Sequence, residues 1–170
     1  MAVADGVRRI AAADAGPIAV GEGAIRWERL EASNAIVFGS PTYNGMPSAR
    51  FKQFMEDSTA VWRRLGWKDK IAAGFTNSAS QSGDKLNTLT SFALFAAQHA
   101  MVWVGLDLFP GNNKSTGSAA DLNRLGSWIG AMAQSDADRG PDAGPIESDL
   151  MTEAHLGQRV ATIAQRFIGR

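Results

Sequence analysis

Short apolar runs alternate along the chain with polar segments and with stretches of helical periodicity. The runs "AIVF" at 35–38, "DKIAAGF" at 69–75 and "MVWVGL" at 101–106 are apolar or nearly so, without strict alternation. Such runs are typical of strands that are covered on both faces, which favours a parallel sheet. We therefore predict three buried strands here, preceded by a shorter strand at "IAV", 18–20.

Helical periodicity separates the predicted strands. Pro47 suits the first turn of a helix that buries Phe51, Phe54 and Met55 and exposes Arg50, Lys52 and Glu56. A helix near the start places Val3, Val7 and Ile10 on one face, and a helix over 84–98 places on one face Leu86, Leu89, Thr90, Ala93 and Ala97. A last helix is predicted over 149–167, with Gly169 at its end. The residues predicted to face inward are Leu150, Ala154, Gly157, Val160, Ala161, Ala164 and Phe167.

The order strand, polar loop, helix, repeated along the chain, predicts right-handed crossovers in an α/β fold. With 170 residues and 45% hydrophobic residues, the chain fits one domain over 1–170. Residues 107–147 are rich in Gly, Asn, Ser, Asp and Pro and are predicted to be irregular, as a functional loop or an interface element. The acidic residues of this region are predicted to form a solvated loop: Asp136, Asp138, Asp142, Glu147 and Asp149.

Composition excludes several classes of function. Seventeen basic residues balance seventeen acidic ones, so no net charge favours nucleic acid or an anionic membrane. The chain has no cysteine, which excludes disulfides, thiolate metal sites and Cys nucleophiles. We find no membrane-spanning run and no signal segment, and we predict a cytoplasmic protein. Its two histidines are far apart in sequence, and we predict no metal.

Two polar loops follow the predicted strands where an open α/β sheet binds its ligands. "GSPTYNGMP" at 39–47 has Gly and Pro residues that we expect to end the strand, together with hydroxyls, an amide and one aromatic ring. "TNSASQSG" at 76–83 offers hydroxyl and amide groups without charge. Either loop alone is typical of an ordinary turn. Two of them on one sheet edge favour a site for a flat, neutral heterocycle.

These blocks carry a resemblance. The stretch from "NAIVFGSPTYNGMP" to Trp62, "KIAAGFTNSASQSG" and "QHAMVWVGL" resemble, in order and spacing, the flavodoxin-like NAD(P)H:quinone oxidoreductases of the WrbA type and related FMN reductases. The resemblance implies a flavodoxin-like open parallel sheet with helices on both faces. It also implies FMN, NAD(P)H as electron donor, a quinone-like acceptor, and a homodimer or homotetramer.

The resemblance further implies which residues act. FMN would lie between Pro41, Thr42, Tyr43, Asn44 and Gly45 on one side and, on the other, Thr76, Asn77, Ser78, Ala79, Ser80, Gln81 and Ser82. Gln98 and His99 match a His-His pair beside the flavin, although Gln98 cannot titrate. Trp62 matches a tryptophan that reaches the substrate across a subunit contact, and packing alone is an equal alternative.

When the chain is aligned with the family pattern, Met1 falls at the middle of the family's first helix. The resemblance therefore implies that the central first strand and the phosphate-binding loop are missing from residues 1–170, which leaves the strand at 35–38 with an open edge. Three functions follow as hypotheses: an FMN-dependent NAD(P)H:quinone oxidoreductase, a flavodoxin-type electron carrier, and a truncated relative with weak or no flavin binding.

Overall fold

The computed structural model describes residues 1–21 and 23–168, so the predicted helix end at Gly169 lies outside the described residues. A 3₁₀ turn at Pro141–Ala143 precedes the last helix. In chain order the other elements are α1 (Ala2–Arg8), α2 (Trp27–Ala32), β1 (Ala35–Tyr43), β2 (Met46–Pro47), α3 (Ala49–Asp57), α4 (Thr59–Arg63), β3 (Ile71–Ser78), α5 (Lys85–Gln98), β4 (Val102–Trp103), β5 (Ala131–Gln134) and α6 (Glu147–Ile168).

The sheet is mostly parallel and β3 lies at its centre. β1 runs parallel to β3 from the pair Ala35–Ile71 to the pair Pro41–Asn77. β4 pairs with the start of β3 and β5 pairs with its end, both in parallel, so that β4 and β5 occupy one strand position interrupted by residues 104–130. Residues 107–147 are thus not irregular throughout, because 131–134 complete the sheet. The predicted α/β fold with a parallel sheet is confirmed.

The first polar loop is shorter than predicted because β1 continues through it to Tyr43. Gly39 does not end the strand; a Cβ there would lie 2.2 Å from the ring of Phe75, so close packing requires the glycine. The chain reverses at Asn44 and Gly45, whose φ angles of 49° and 75° are those of a tight hairpin turn. The antiparallel strand β2 follows.

Three predictions near the chain start and at the start of α3 are wrong. The segment "IAV" at 18–20 forms no strand, and α1 ends at Arg8, before Ile10. Pro47 belongs to β2, and α3 begins two residues later. There the Ser48 side chain accepts a hydrogen bond from the Phe51 amide at 3.3 Å, which caps the helix. Phe51 and Phe54 are buried as predicted.

The predicted inner face of α5 is wrong. Only Leu89 of the predicted set is buried, while Leu86 is 59% exposed. Instead, the buried residues of α5 are Lys85, Thr88, Leu89, Phe92, Phe95 and Ala96. Phe92 and Phe95 both pack against Phe38 of β1, so the aromatic stripe determines the orientation of the helix.

Helices cover both faces of the sheet. On one face, β1 and β3 contribute Ile36, Phe38 and Ala72 to an aromatic-rich core with residues of α3, α4 and α5. On the other face, α6 packs Leu156, Val160 and Ala164 against the sheet. Phe167, predicted to face inward, is 54% exposed. None of the helices within residues 1–21 and 23–168 is both long and apolar enough to cross a membrane.

Candidate functional site

The sheet brings the two predicted loops together. Because β1 and β3 are parallel and in register, Pro41 lies opposite Asn77 at the same edge of the sheet. The chain then leaves β1 through the turn at Asn44 and Gly45 and leaves β3 through residues 79–84. The carboxyl edge of the sheet is the place where open α/β sheets bind ligands.

Buried threonine hydroxyls connect the two strands beneath the loops. The Thr42 hydroxyl oxygen lies 2.7 Å from that of Thr76 and donates a hydrogen bond to the Thr88 hydroxyl of α5 at 2.8 Å. The Thr76 hydroxyl also contacts the Ser40 carbonyl at 2.8 Å. Thr42 and Thr76, both predicted to bind the cofactor, are 6% and 0% exposed. Their position indicates that they support the loops rather than touch a ligand.

The surface that remains for a ligand is neutral and polar. Tyr43 and Asn44 are exposed, as are the residues of 79–82. Asn87 of α5 donates from its side-chain amide to the Gly45 carbonyl at 2.8 Å, which holds the hairpin turn against the first turn of α5. The arrangement suits a flat heterocycle that hydrogen-bonds along its edges.

Asn77 carries a polar atom that a ligand could satisfy. Its side-chain amide nitrogen donates to the Ser135 hydroxyl at 3.0 Å. Its Oδ1 atom is buried and accepts no hydrogen bond from the described part of the chain. A buried acceptor without a donor is costly, and a ring N–H would satisfy it. The flavin ring carries such an N–H group, so the residues present fit FMN at its ring.

Lys85 supports the second loop from below. Its side chain is fully buried, and Nζ donates to the Ser80 carbonyl at 3.0 Å and to the Ala133 carbonyl of β5 at 2.8 Å. Burial lowers the pKa of Lys85 to about 8, partly offset by the negative charge of Asp149. The side-chain amide of Gln134 also donates to the Ala79 carbonyl at 3.0 Å, so hydrogen bonds connect the loop to β5 at two points.

A buried ion pair lies next to this lysine, and no pattern in the sequence indicates it. Arg124 donates from Nε and Nη2 to the two carboxylate oxygens of Asp149 at 2.8 and 2.7 Å. The Gln134 backbone amide adds a third bond to Asp149 at 3.0 Å. Asp149 is 1% exposed, so its assignment to a solvated acidic loop is wrong. Lys85 and Arg124 were missed because isolated cations in polar segments look like surface residues.

Gln98 and His99 do not join the loops within one chain. Gln98 is the last residue of α5 and His99 follows it, and this helix begins at the loops and extends about 20 Å away from them at 1.5 Å per residue. His99 is 1% exposed between Trp67 and Phe95, and its Nε2 lies 3.0 Å from the Ser58 hydroxyl. Burial lowers the pKa of His99 to about 4, so it is neutral at pH 7. Of these two residues, Gln98 is exposed and could reach a ligand held by another chain, whereas His99 could not.

Trp62 also lies away from the loops within one chain. It belongs to α4, which follows the far end of α3 and precedes the start of β3. Its side chain is 47% exposed, so simple burial in the core does not explain the residue. A substrate role for Trp62 therefore stays a prediction that requires a second subunit.

Comparison with known proteins agrees with this geometry. The sequence pattern of the family described as NADPH-dependent FMN reductase matches residues 24–112, which include both loops and β4. The chain belongs to this FMN reductase family. It is also similar over 97% of its length to the solved flavodoxin, WrbA-like protein from Agrobacterium tumefaciens, with 37% identity, a TM-score of 0.71 and 86% of that chain covered. The fold is therefore flavodoxin-like, as predicted.

The chain is similar to proteins whose names state different functions. Flavodoxin FldP of Pseudomonas aeruginosa is 41% identical over 83% of this chain and 76% of its own length. An NAD(P)H dehydrogenase (quinone) of Archaeoglobus fulgidus is 36% identical over 84% of this chain and 65% of its own length. The chain thus spans about two thirds of that enzyme. A solved archaeal flavodoxin, 18% identical with a TM-score of 0.63, shares the fold.

Proposed function

We propose that the protein is an FMN-dependent oxidoreductase that takes hydride from NAD(P)H and passes two electrons to a quinone-like acceptor. The observation that carries the proposal is the Asn77 Oδ1 atom near the carboxyl edge of the sheet, which is buried and accepts no hydrogen bond from the described residues. Membership of the FMN reductase family and similarity to NAD(P)H dehydrogenases (quinone) support it.

The roles of the residues follow from their positions. FMN, when bound, would supply hydride acceptance and two-electron delivery. Asn77 would accept a hydrogen bond from a ring N–H, while Tyr43 and Asn44 would cover one side of the ring. The neutral groups of 79–82 would hydrogen-bond the ring without placing a fixed charge beside it. Thr42 and Thr76 would keep the two loops at a constant separation.

A flavodoxin-type electron carrier is the second candidate, and the similarity to Flavodoxin FldP favours it. A carrier binds FMN and exchanges electrons with protein partners, whereas the proposed enzyme oxidises NAD(P)H itself. The balanced charge of seventeen acidic and seventeen basic residues counts against a carrier that docks through an acidic surface.

Flavin binding and turnover test the two candidates separately. FMN is titrated into the purified protein and followed by flavin fluorescence, and NADPH oxidation is then recorded with and without 2-methyl-1,4-naphthoquinone. We expect flavin binding and quinone-dependent oxidation. Flavin binding without NADH or NADPH oxidation would support the carrier, and no binding at millimolar FMN would support a non-catalytic relative.

The variant Asn77→Leu tests the observation on which the proposal depends. It should raise the Kd for FMN by about tenfold, which corresponds to about 1.4 kcal/mol. Asn113→Leu, on the exposed segment between β4 and β5, is the matched control and should leave the Kd unchanged. Equal FMN affinities of Asn77→Leu and the unmodified protein would remove Asn77 from the site.

We also propose that the protein forms a homodimer or homotetramer. Phe109 is 83% exposed and packs edge to face on Trp128, which is 55% exposed, with ring centroids 5.7 Å apart. Exposed aromatic rings are enriched at protein interfaces. Light scattering of the unmodified protein and of Phe109→Ser measures the assembly, and a monomer at high micromolar concentration would contradict the proposal.

A further inference from the structure

The second loop, residues 79–84, turns one of its carbonyl groups into the protein. The Ser80 carbonyl accepts a hydrogen bond from the Lys85 ammonium at 3.0 Å and another from the Ser78 hydroxyl at 3.2 Å. The loop is closely packed around it, since a Cβ at Gly83 would lie 2.2 Å from the Ser78 hydroxyl oxygen and 3.3 Å from the Ser80 carbonyl oxygen. These contacts fix the direction of the carbonyl.

The N–H on the other side of the same peptide group points away from the lysine. None of the described peptide bonds is cis, and in a trans peptide the N–H points opposite to the carbonyl. Because Lys85 is 0% exposed, the Gln81 N–H points from the interior toward the surface. Gln81 is exposed, and its backbone amide donates no hydrogen bond within residues 1–21 and 23–168. This amide is available to a ligand.

Lys85 belongs to a buried cluster that carries a net positive charge. The charged groups that act on its ammonium are Asp149 of α6 and Arg124 of the segment between β4 and β5. Asp149 is paired with Arg124, whereas the two acceptors of Lys85 are the neutral carbonyls of the loop and of β5. The charge of Lys85 is therefore not cancelled by an ion pair within the described part of the chain.

We propose that Lys85 makes this site bind reduced FMN more tightly than oxidised FMN, and that it acts through the peptide group between Ser80 and Gln81. The inference rests on the proposed binding of FMN between the two loops. An ammonium that bonds the carbonyl of a peptide polarises the whole group, so the N–H of that group becomes a stronger donor. Lys85 is thus a positioning residue that lies one peptide group away from the ligand.

The difference between the two redox states gives this arrangement its effect. Uptake of two electrons and one proton leaves one negative charge on a flavin ring at neutral pH, whereas the oxidised ring is neutral. A fixed donor aimed at the place where charge develops stabilises the charged form more than the neutral form. Residues 79–82 carry no charged side chain, so the charge of Lys85 reaches the ring only through the loop. The effect should therefore appear in the midpoint potential of bound FMN.

Reductive titration of the FMN-loaded protein with dithionite and a reference dye measures this potential at pH 7. We expect Lys85→Met to bind reduced FMN about tenfold more weakly relative to oxidised FMN, which lowers the two-electron midpoint potential by about 30 mV. The Kd for oxidised FMN, measured by flavin fluorescence, should change much less. Lys114→Met makes the same substitution at an exposed position and should leave both values unchanged.

The pH dependence separates the charge of Lys85 from its support of the loop. Burial lowers the pKa of Lys85 to about 8, so the ammonium loses its proton as the pH rises through that value. The difference in potential between the unmodified protein and Lys85→Met should therefore be full at about pH 7 and much smaller at about pH 9. Glu153, which is coupled to Asp149, titrates near pH 7 in both proteins, so its contribution cancels at each pH.

A neutral donor provides a second variant. Lys85→Gln keeps an amide that can bond the Ser80 carbonyl but removes the charge, and its potential should fall as far as that of Lys85→Met. The Ser78 hydroxyl still bonds this carbonyl in both variants. Circular dichroism and urea unfolding confirm that they fold.

Nuclear magnetic resonance tests the same coupling in the protein without FMN. The ¹⁵N chemical shift of the Gln81 amide should change with a midpoint near pH 8 as Lys85 loses its proton, and this step should be absent in Lys85→Met. A Gln81 amide that shows the same titration in both proteins would contradict the coupling.

The outcomes distinguish this inference from the proposed function. If the unmodified protein binds no FMN, the proposed function is wrong and the inference is wrong with it. If FMN binds with the same potential in the unmodified protein and in Lys85→Met, only the inference is overturned. If Lys85→Gln keeps the potential of the unmodified protein, hydrogen bonding alone is sufficient and the role of the charge is refuted.

Discussion

The hydroxyl of Thr42 at the end of β1 donates a hydrogen bond of 2.8 Å to the hydroxyl of Thr88 in α5. Thr88 comes after the second loop in sequence, yet it is bonded to the strand that leads into the first. The helix thereby sets the separation of the two loops between which the flavin ring is proposed to bind.

Thr88→Val should weaken both stability and flavin binding. The variant keeps the shape of the side chain but leaves Thr42 with one bond fewer in a buried position, which costs about 1–3 kcal/mol. Urea unfolding measures the free energy, and flavin fluorescence measures the Kd for FMN. Thr90→Val is the control, because Thr90 is exposed on the same helix. Equal losses in both variants would indicate only an effect of valine on the helix.

Asp149→Asn should destabilise the protein strongly. The substitution leaves the Arg124 guanidinium, whose side chain is 9% exposed, without its carboxylate, and breaking a buried pair costs about 3–5 kcal/mol. It also removes a negative charge that raises the pKa of Lys85. Asp136→Asn breaks an exposed pair with Arg139 and should cost less than about 1 kcal/mol. Denaturant unfolding of both variants tests the contrast, which similar losses would contradict.

Glu153 should make stability fall as pH rises. Burial and the nearby charge of Asp149 raise its pKa to about 7 in the folded protein, against 4.5 for the ordinary group. Between these values the folded state holds more of the proton than the unfolded state, so the contribution of Glu153 to stability decreases from pH 4.5 to 7 and stays lower above it. The lowered pKa of buried His99 contributes in the opposite direction between about pH 4 and 6.5. The full effect is on the order of 3 kcal/mol.

Glu153→Gln should remove the contribution of Glu153 to the pH dependence of stability. The variant is expected to be more stable than the unmodified protein at pH 8 and nearly equal to it at pH 4.5, as measured by urea unfolding at each pH. Glu147→Gln, at an exposed position on the same helix, serves as the control and should keep the slope. An unchanged slope in Glu153→Gln would show that this carboxyl group does not cause it.

Gly157→Ala should separate α1 from α6. A Cβ at Gly157 would lie 2.1 Å from the Val3 carbonyl oxygen, and one at Gly6 would lie 1.9 Å from that of Ala154, so the helices cross in close contact. Overpacking of this kind costs about 1–3 kcal/mol, which thermal unfolding would record as a lower Tm. Gly140→Ala meets no atom within 4 Å and should leave the Tm nearly unchanged. A Tm of Gly157→Ala equal to that of the unmodified protein would show that the two helices can move apart.

The sequence by itself determined the strands β1 and β3, the helices between and after them, and the two loops at one sheet edge. These features depend on local order: apolar runs without alternation form buried strands, and parallel strands place the loops that follow them at the same edge. Both loops lie where they were predicted, although β1 and β3 extend further into them than their Gly, Pro and Ser residues suggested.

Only the tertiary structure decided which of those residues are accessible to a ligand and which lie beneath it. Burial of Thr42, Thr76 and Lys85 depends on how α5 rotates against the sheet, and the packing of Phe92 and Phe95 on Phe38 fixes that rotation. The Arg124–Asp149 pair joins residues 25 apart in sequence, and no local sequence pattern predicts it.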